Sequence, residues 1–194
     1  MFEQTCGWFR RYLDEGGSPI SLAVNVSKVG LLQKDFIEYY AKTKQKYRLP
    51  DGYLELEFTE GVLLNDTDLF SDIVRKLQSK GFICSLDDFG SGYSSLNLLK
   101  NLPIDVLKLD IMFFHKSEDS EKERIVVSNF IHMAKELRIK TIAEGVESVE
   151  NVDFLRSCGC DVVQGYAFFK PMPLEDFEHL VNELGDRQLE PENV

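Results

Sequence analysis

At 194 residues and 43% apolar, the chain is long enough for one substantial hydrophobic core and has the composition of a soluble globular domain, not a disordered one. A formal net charge of −11 excludes recognition of DNA through a broad basic face, which depends on clustered Lys and Arg neutralising phosphates. No apolar run approaches the roughly 20 residues of a membrane span. Cys6, Cys84, Cys158 and Cys160, with no CxxC pair and no secretory leader, read as reduced thiols of a cytoplasmic protein. A larger parent that is itself membrane-anchored stays compatible with this.

In chain order, Phe2, Cys6, Phe9 and Leu13 stand at helical spacing, and Glu15-Gly16-Gly17 closes that helix. Ile20 to Val24 is a β-rich run ending on Asn25, and a helix is expected over Phe36 to Tyr47. After the turn signal Pro50-Asp51-Gly52, Tyr53 to Phe58 alternates as a strand and stops at Thr59-Glu60. Thr67 to Lys80 is amphipathic, Gly81 stops it, and the strand Phe82 to Leu86 delivers Asp87 and Asp88. A short helix over Ser94 to Leu102 is broken by Pro103, and Asp105 to Leu109 forms a strand reaching Asp110. A long helix, Glu121 to Leu137, precedes the strand Lys140 to Ala143, which runs into Glu144. Val149 to Ser157 is helical, Asp161 to Val163 runs into Gln164-Gly165, Leu174 to Leu184 is a last helix, and the tail is polar.

Six strand candidates alternating with helices argue for a parallel sheet of right-handed βαβ units. Asn25, Glu57, Asp87 with Asp88, Lys108 with Asp110, Glu144 and Gln164 fall at or just before the C-terminal ends of successive strands. Polar groups drawn from every strand suit the single active rim of a barrel better than the crevice of an open sheet. The expected fold class is therefore α/β, a TIM-type (β/α) barrel that is incomplete, with about six of its eight strands present.

Asp87-Asp88 is the pivotal stretch. Two carboxylates at the end of a buried strand are costly unless a positive group sits on them, although Asp, Gly and Ser are also ordinary turn formers. Glu57, Asp87, Asp88 and Glu144 with the amide of Asn25 would make an all-oxygen site for hard divalent cations, Mg2+ or Mn2+. Adjacent aspartates can serve two ions, an arrangement suited to in-line attack of water on a phosphodiester. Lys108 could stabilise phosphate charge or hold the attacking water; a structural counter-ion to the carboxylates is an equal reading of the residue alone. Glu55 shares a pleat face with Glu57 and is expected at its outer or lower end, in a salt bridge. Glu60 and Glu147 lie in the following turns and could orient a loop or the site.

The motifs NVS (Asn25 to Ser27), ELEFTE (Glu55 to Glu60), DDFGSGYSS (Asp87 to Ser95), KLD (Lys108 to Asp110), AEGVE (Ala143 to Glu147) and QGYAFFKP (Gln164 to Pro171) resemble, in order and spacing, the EAL-domain cyclic-di-GMP phosphodiesterases. The resemblance implies a barrel that uses two Mg2+ or Mn2+ ions to hydrolyse cyclic di-GMP to pGpG. It implies Asn25, Glu57, Asp87, Asp88 and Glu144 as metal ligands, with Lys108, Glu144 and Glu147 in the catalytic set. It also implies that Glu60, Asp110 and Gln164 support the substrate and the loop after the paired aspartates, a loop that the family couples to dimerisation.

Two departures accompany the resemblance. The Glu-Ala-Leu motif is absent, and with it one metal ligand and a nearby substrate-binding arginine, so the two-ion site is incomplete and residue 1 aligns after the second strand. Ile111 stands where the family usually has Arg. The expectation is an EAL domain over residues 1–185 lacking its first strands, with a polar tail at 186–194 and little activity alone. The parent is expected to carry sensory or GGDEF domains, and the exposed sheet edges imply a homodimer or strand-exchanged oligomer. The rival readings are a noncatalytic cyclic-di-GMP sensor or dimerisation scaffold, and an unrelated barrel enzyme such as a Schiff-base aldolase. Carboxylates crowding Lys108 would keep it protonated and disfavour the aldolase.

Overall fold

The structure is a computed structural model and describes residues 1–62, 67–87, 89, 99–110 and 120–184. Six strands follow sequence order along one sheet, β1-β2-β3-β4-β5-β6, and the pairs β1-β2, β2-β3 and β5-β6 are parallel. Helices separate most of them, so the fold class is the expected α/β architecture with a parallel sheet of the TIM-barrel kind. The chain divides into two compact units, Met1–Val106 and Leu107–Val194.

In the first unit, helix α1 (Phe2–Asp14) buries Phe2, Cys6, Trp8, Phe9 and Tyr12 on one face. Strand β1 (Leu22–Asn25) leads to a short helix α2 (Lys28–Leu31), capped where Ser27 Oγ accepts the Gly30 amide at 3.1 Å. That single turn is too short to leave a periodic trace, and nothing in the apolar pattern announces it. Helix α3 (Phe36–Lys46), strand β2 (Leu54–Thr59), a 3-10 turn (Glu60–Val62), helix α4 (Thr67–Gln78) and strand β3 (Ile83–Asp87) follow.

Alternation along β2 divides the sheet into two chemically distinct faces. Leu54, Leu56 and Phe58 are fully buried on one of them, with Cys84 and Leu86 of β3 at the same depth. Phe58 meets Phe70 of α4 edge-on, ring centroids 5.3 Å apart. The opposite face carries Glu55 and Glu57.

Ionic groups pin the N-terminal ends of these strands. Lys44, at the end of α3, is buried; its Nζ pairs with Asp51 in the turn before β2 and donates to the carbonyl of Lys80, before β3, at 2.8 Å. The Phe82 ring lies 5.3 Å from the same ammonium. Asp105 closes the end of β3: Oδ2 accepts the Cys84 amide at 2.8 Å and Oδ1 accepts Gln78 Nε2 at 3.0 Å, while its own amide donates to Cys84 O at 2.9 Å. Strand β4 (Val106–Asp110) consequently starts one residue later than the sequence pattern suggests.

In the second unit, helix α5 (Ser120–Glu136) precedes strand β5 (Lys140–Glu144), helix α6 (Val149–Cys158), strand β6 (Val162–Val163) and helix α7 (Leu174–Leu184). Leu107, Leu109, Ile131, Ala134, Ala143 and Leu155 are buried here. Arg124 of α5 lies over the Phe154 ring of α6 at 4.8 Å. A second aspartate repeats the device seen at β3: Asp161 Oδ2 accepts the Thr141 amide at 2.8 Å and the Thr141 hydroxyl at 3.0 Å.

All four cysteines are free thiols, as their spacing implies. Most of the expected Ser94 to Leu102 helix, the paired aspartate Asp88, the Gly90-to-Asn97 loop, Ile111 and the polar tail lie outside the described residues. Among those described, no helix is long and apolar enough to cross a membrane.

Candidate functional site

Strand register aligns the candidate residues of the first unit. Asn25 pairs with Glu57, and Glu57 with Ser85, so three side chains stand at one level on one face of β1, β2 and β3. One pleat further, Asp87 is the partner of Thr59; one pleat back, Ala23, Glu55 and Ile83 align. Asn25, Glu57 and Asp87 thus share the polar face at the C-terminal ends of adjacent strands, as alternation requires. Glu57 is 6% exposed, Asn25 is open to solvent and Asp87 is intermediate.

Glu55 shares the Glu57 face and is only 5% exposed. Glu60 follows β2 directly in the 3-10 turn and is buried at 5% exposure. The loops after β1 and β2 touch: Val26 N donates to Glu57 O at 2.9 Å, and Lys28 Nζ reaches Gly61 O at 3.4 Å.

An amide oxygen and two carboxylates, with a buried hydroxyl beside them, form a hard donor set that suits Mg2+ or Mn2+ in kind. Among the described residues, no three His, Cys, Asp or Glu side chains gather as a metal-holding group. The described share of the proposed set in this unit is Asn25, Glu57 and Asp87. The polar character of the row is nonetheless unlike a structural strand face: Ser85 is fully buried and its Oγ makes no hydrogen bond among the described residues. A buried hydroxyl in that condition calls for an explanation, such as a bound water or ion.

The second unit carries the candidate lysine. Lys108 is 5% exposed, and its Nζ lies 2.5 Å from Glu144 Oε1 at the end of β5. Alternation puts Asp110 on the Lys108 face of β4. Glu147 is exposed in the turn after β5, and Gln164 is exposed just after β6.

The turns after β5 and β6 are interlocked. Val146 N donates to Gln164 O at 3.2 Å, and Ala167 N donates to Val146 O at 3.0 Å. Gly165 makes this possible: a Cβ there would sit 2.1 Å from Val146 O and 2.4 Å from Val146 N. Beside β6, Gln164 and Gly165 line a cavity of about 610 Å³ together with Arg156, Asp161, Val163 and Phe168.

Polar strand ends, a strand-end lysine paired with a glutamate and a parallel α/β sheet coincide with an independent match: residues 1–171 fit the model of the EAL domain. The chain belongs to the EAL-domain family. It is 35% identical over 181 residues to the cyclic di-GMP phosphodiesterase NbdA of Pseudomonas aeruginosa, covering 93% of this chain and 23% of that protein. It is 34% identical over 183 residues to the signaling protein YkoW of Bacillus subtilis, covering 94% of this chain and 23% of YkoW. The crystal structure of the EAL domain of Mycobacterium smegmatis DcpA superposes with a TM-score of 0.87 at 32% identity, over 94% of this chain and 82% of that one. A cyclic-di-GMP complex of the PaMucR phosphodiesterase gives a TM-score of 0.83 at 33% identity, over 91% and 71% respectively. The chain spans less than a quarter of the length of NbdA or YkoW.

The EAL reading assigns most of the polar strand-end residues, but it passed over Ser85 and Gly165. Ser85 was legible in part, because it stands two residues before Asp87 and must share its face. The close approach of Gly165 to Val146 joins separate turns and leaves no local signal.

Proposed function

We propose that this EAL-domain chain is the catalytic part of a metal-dependent phosphodiesterase that hydrolyses cyclic di-GMP to pGpG. The observation that carries the proposal is the pairing of the buried Lys108 with Glu144 at strand ends of a family member. The cyclic-di-GMP phosphodiesterase named among its relatives and the cyclic-di-GMP complex of a structural neighbour support the substrate.

Asn25, Glu57, Asp87, Asp88 and Glu144 would hold Mg2+ or Mn2+, which when bound supplies Lewis-acid charge stabilisation and promotes attack on phosphorus. Lys108 contributes a fixed cation that can donate to phosphate oxygens as their charge grows. Glu144 keeps the lysine side chain directed at one point, which lowers the cost of ordering it during the reaction. Glu147, Asp110 and Gln164 orient the reacting groups, and Glu60 braces the loop after the paired aspartates.

The 23% span within curated relatives supports a parent with further domains, sensory or GGDEF in type. A cytoplasmic catalytic face and a homodimer or strand-exchanged oligomer belong to the same reading. A second reading, from a different class, is a noncatalytic cyclic-di-GMP sensor or dimerisation scaffold.

The deciding experiment incubates the full-length parent and the isolated chain with cyclic di-GMP and Mn2+ and resolves products chromatographically. The expected result is pGpG from the parent and little from the chain. Intact cyclic di-GMP with the full-length parent would overturn the proposal, and calorimetric binding without turnover would establish the sensor instead.

A further inference from the structure

Ser85 lies in the middle of an acidic patch that register fixes on a single sheet face. Glu57 is its direct cross-strand partner, Asp87 follows it by one pleat, and Glu55 lies diagonally across on β2. Neighbouring parallel strands are about 4.8 Å apart, so a hydroxyl and a carboxylate at paired positions are within reach after a rotamer change. Ser85 is 0% exposed and its Oγ has no hydrogen-bond partner among the described residues.

A hydroxyl kept dry without a partner costs free energy that Ala at the same place would not. The alternation of the strand does not require Ser here, since the Cys84 and Leu86 positions flanking it serve the apolar core on the opposite face. The hydroxyl has acceptors around it: three carboxylates lie on its own face, and an O–H donor can bond an ionised carboxylate more strongly than a neutral acceptor.

We propose that Ser85 is a positioning residue of the divalent-cation site: when a cation turns the Glu57 carboxylate toward itself, the Ser85 O–H donates to that carboxylate and holds its orientation. The inference rests on the metal reading above and adds a residue to it. Ser85 touches neither substrate nor cation; it acts through Glu57, as outer groups around metal ligands commonly do.

The test compares the purified protein with its Ser85→Ala and Ser85→Thr variants in Mn2+ titrations followed by electron paramagnetic resonance, alongside unfolding midpoints measured without metal. The metal-free Ser85→Ala protein is expected to unfold at or above the native midpoint while binding Mn2+ about 10-fold more weakly. Ser85→Thr, which keeps the hydroxyl, is expected to stay within about 3-fold of native affinity. Equal Mn2+ affinity in native and Ser85→Ala proteins would overturn the role of Ser85 and leave the metal reading standing. A fall in metal-free stability with unchanged affinity would assign the hydroxyl to the fold alone. No Mn2+ binding by the full-length parent, titrated in the same way, would overturn the metal reading itself.

Discussion

Carboxylates occur at both ends of the strands, and within each unit the two ends use them differently. At the N-terminal ends, Asp105 and Asp161 each accept two hydrogen bonds, one of them from the backbone amide of the preceding strand. At the C-terminal ends, Glu57 shares a level with an amide and a buried hydroxyl, and Glu144 holds the Lys108 ammonium. The N-terminal carboxylates are bonded to the chain's own donors, whereas the C-terminal ones stand among groups able to take a ligand. Residue type alone therefore says little; the donors around each carboxylate separate support from chemistry.

This contrast can be broken by substitution at either end. The largest effect is expected from Glu57→Gln in the full-length parent: a loss of at least about 100-fold in cyclic-di-GMP hydrolysis, with an unfolding midpoint within a degree or so of native. Steady-state kinetics beside calorimetry would check it, and a large stability loss would make Glu57 another support.

Asp105→Ala should do the reverse. Loss of charge-assisted bonds to Cys84 N and Gln78 Nε2 should cost about 2–4 kcal/mol in denaturant unfolding, with metal affinity unchanged. Asp161→Ala is expected to cost less, about 1–2 kcal/mol, because its carboxylate is open to solvent and serves a single residue, Thr141.

The smallest effect concerns the buried thiols. Burial pushes the Cys6 thiol up to about 12, and burial, followed by the charges of Asp105 and Glu55, raises that of Cys84 as well. In the unfolded chain both ionise near their ordinary value, so the native state binds more protons once the pH passes that value. Stability is then full below about pH 8.5 and falls by on the order of 1 kcal/mol per pH unit per thiol as the pH rises toward 12. Alkaline urea titrations of native and Cys84→Ala proteins would measure the difference in slope.

Much of the fold was legible because it rests on local periodicity. The alternation Leu54, Leu56, Phe58 against Glu55, Glu57 marks β2, and the helical spacing of Phe2, Cys6 and Phe9 marks α1. Helix α2 was not legible, since a single capped turn has no period to detect. The polar strand-end residues Asn25, Glu57, Lys108 and Glu144 could be placed by counting from each strand's end. Burial could not be read this way: alternation puts Glu55 on the Glu57 face, but it takes the register with β3, beside Ile83, to show how deeply it is buried. Lys44 gave no signal because its partners, Asp51 and then Lys80 O with the Phe82 ring, come from two stretches separate from its own helix.

The contact between Gly165 and Val146 has a mechanical consequence. Two reciprocal hydrogen bonds and a separation too small for a methyl group make the turns after β5 and β6 one stiff piece. A push on Gln164 is transmitted directly to the turn that begins at Glu144, and the reverse. A mutation that tunes one of these residues is therefore felt at the other, and an insertion in either turn disturbs both. The two turns are coupled much as two gears on one shaft are, and neither moves without the other.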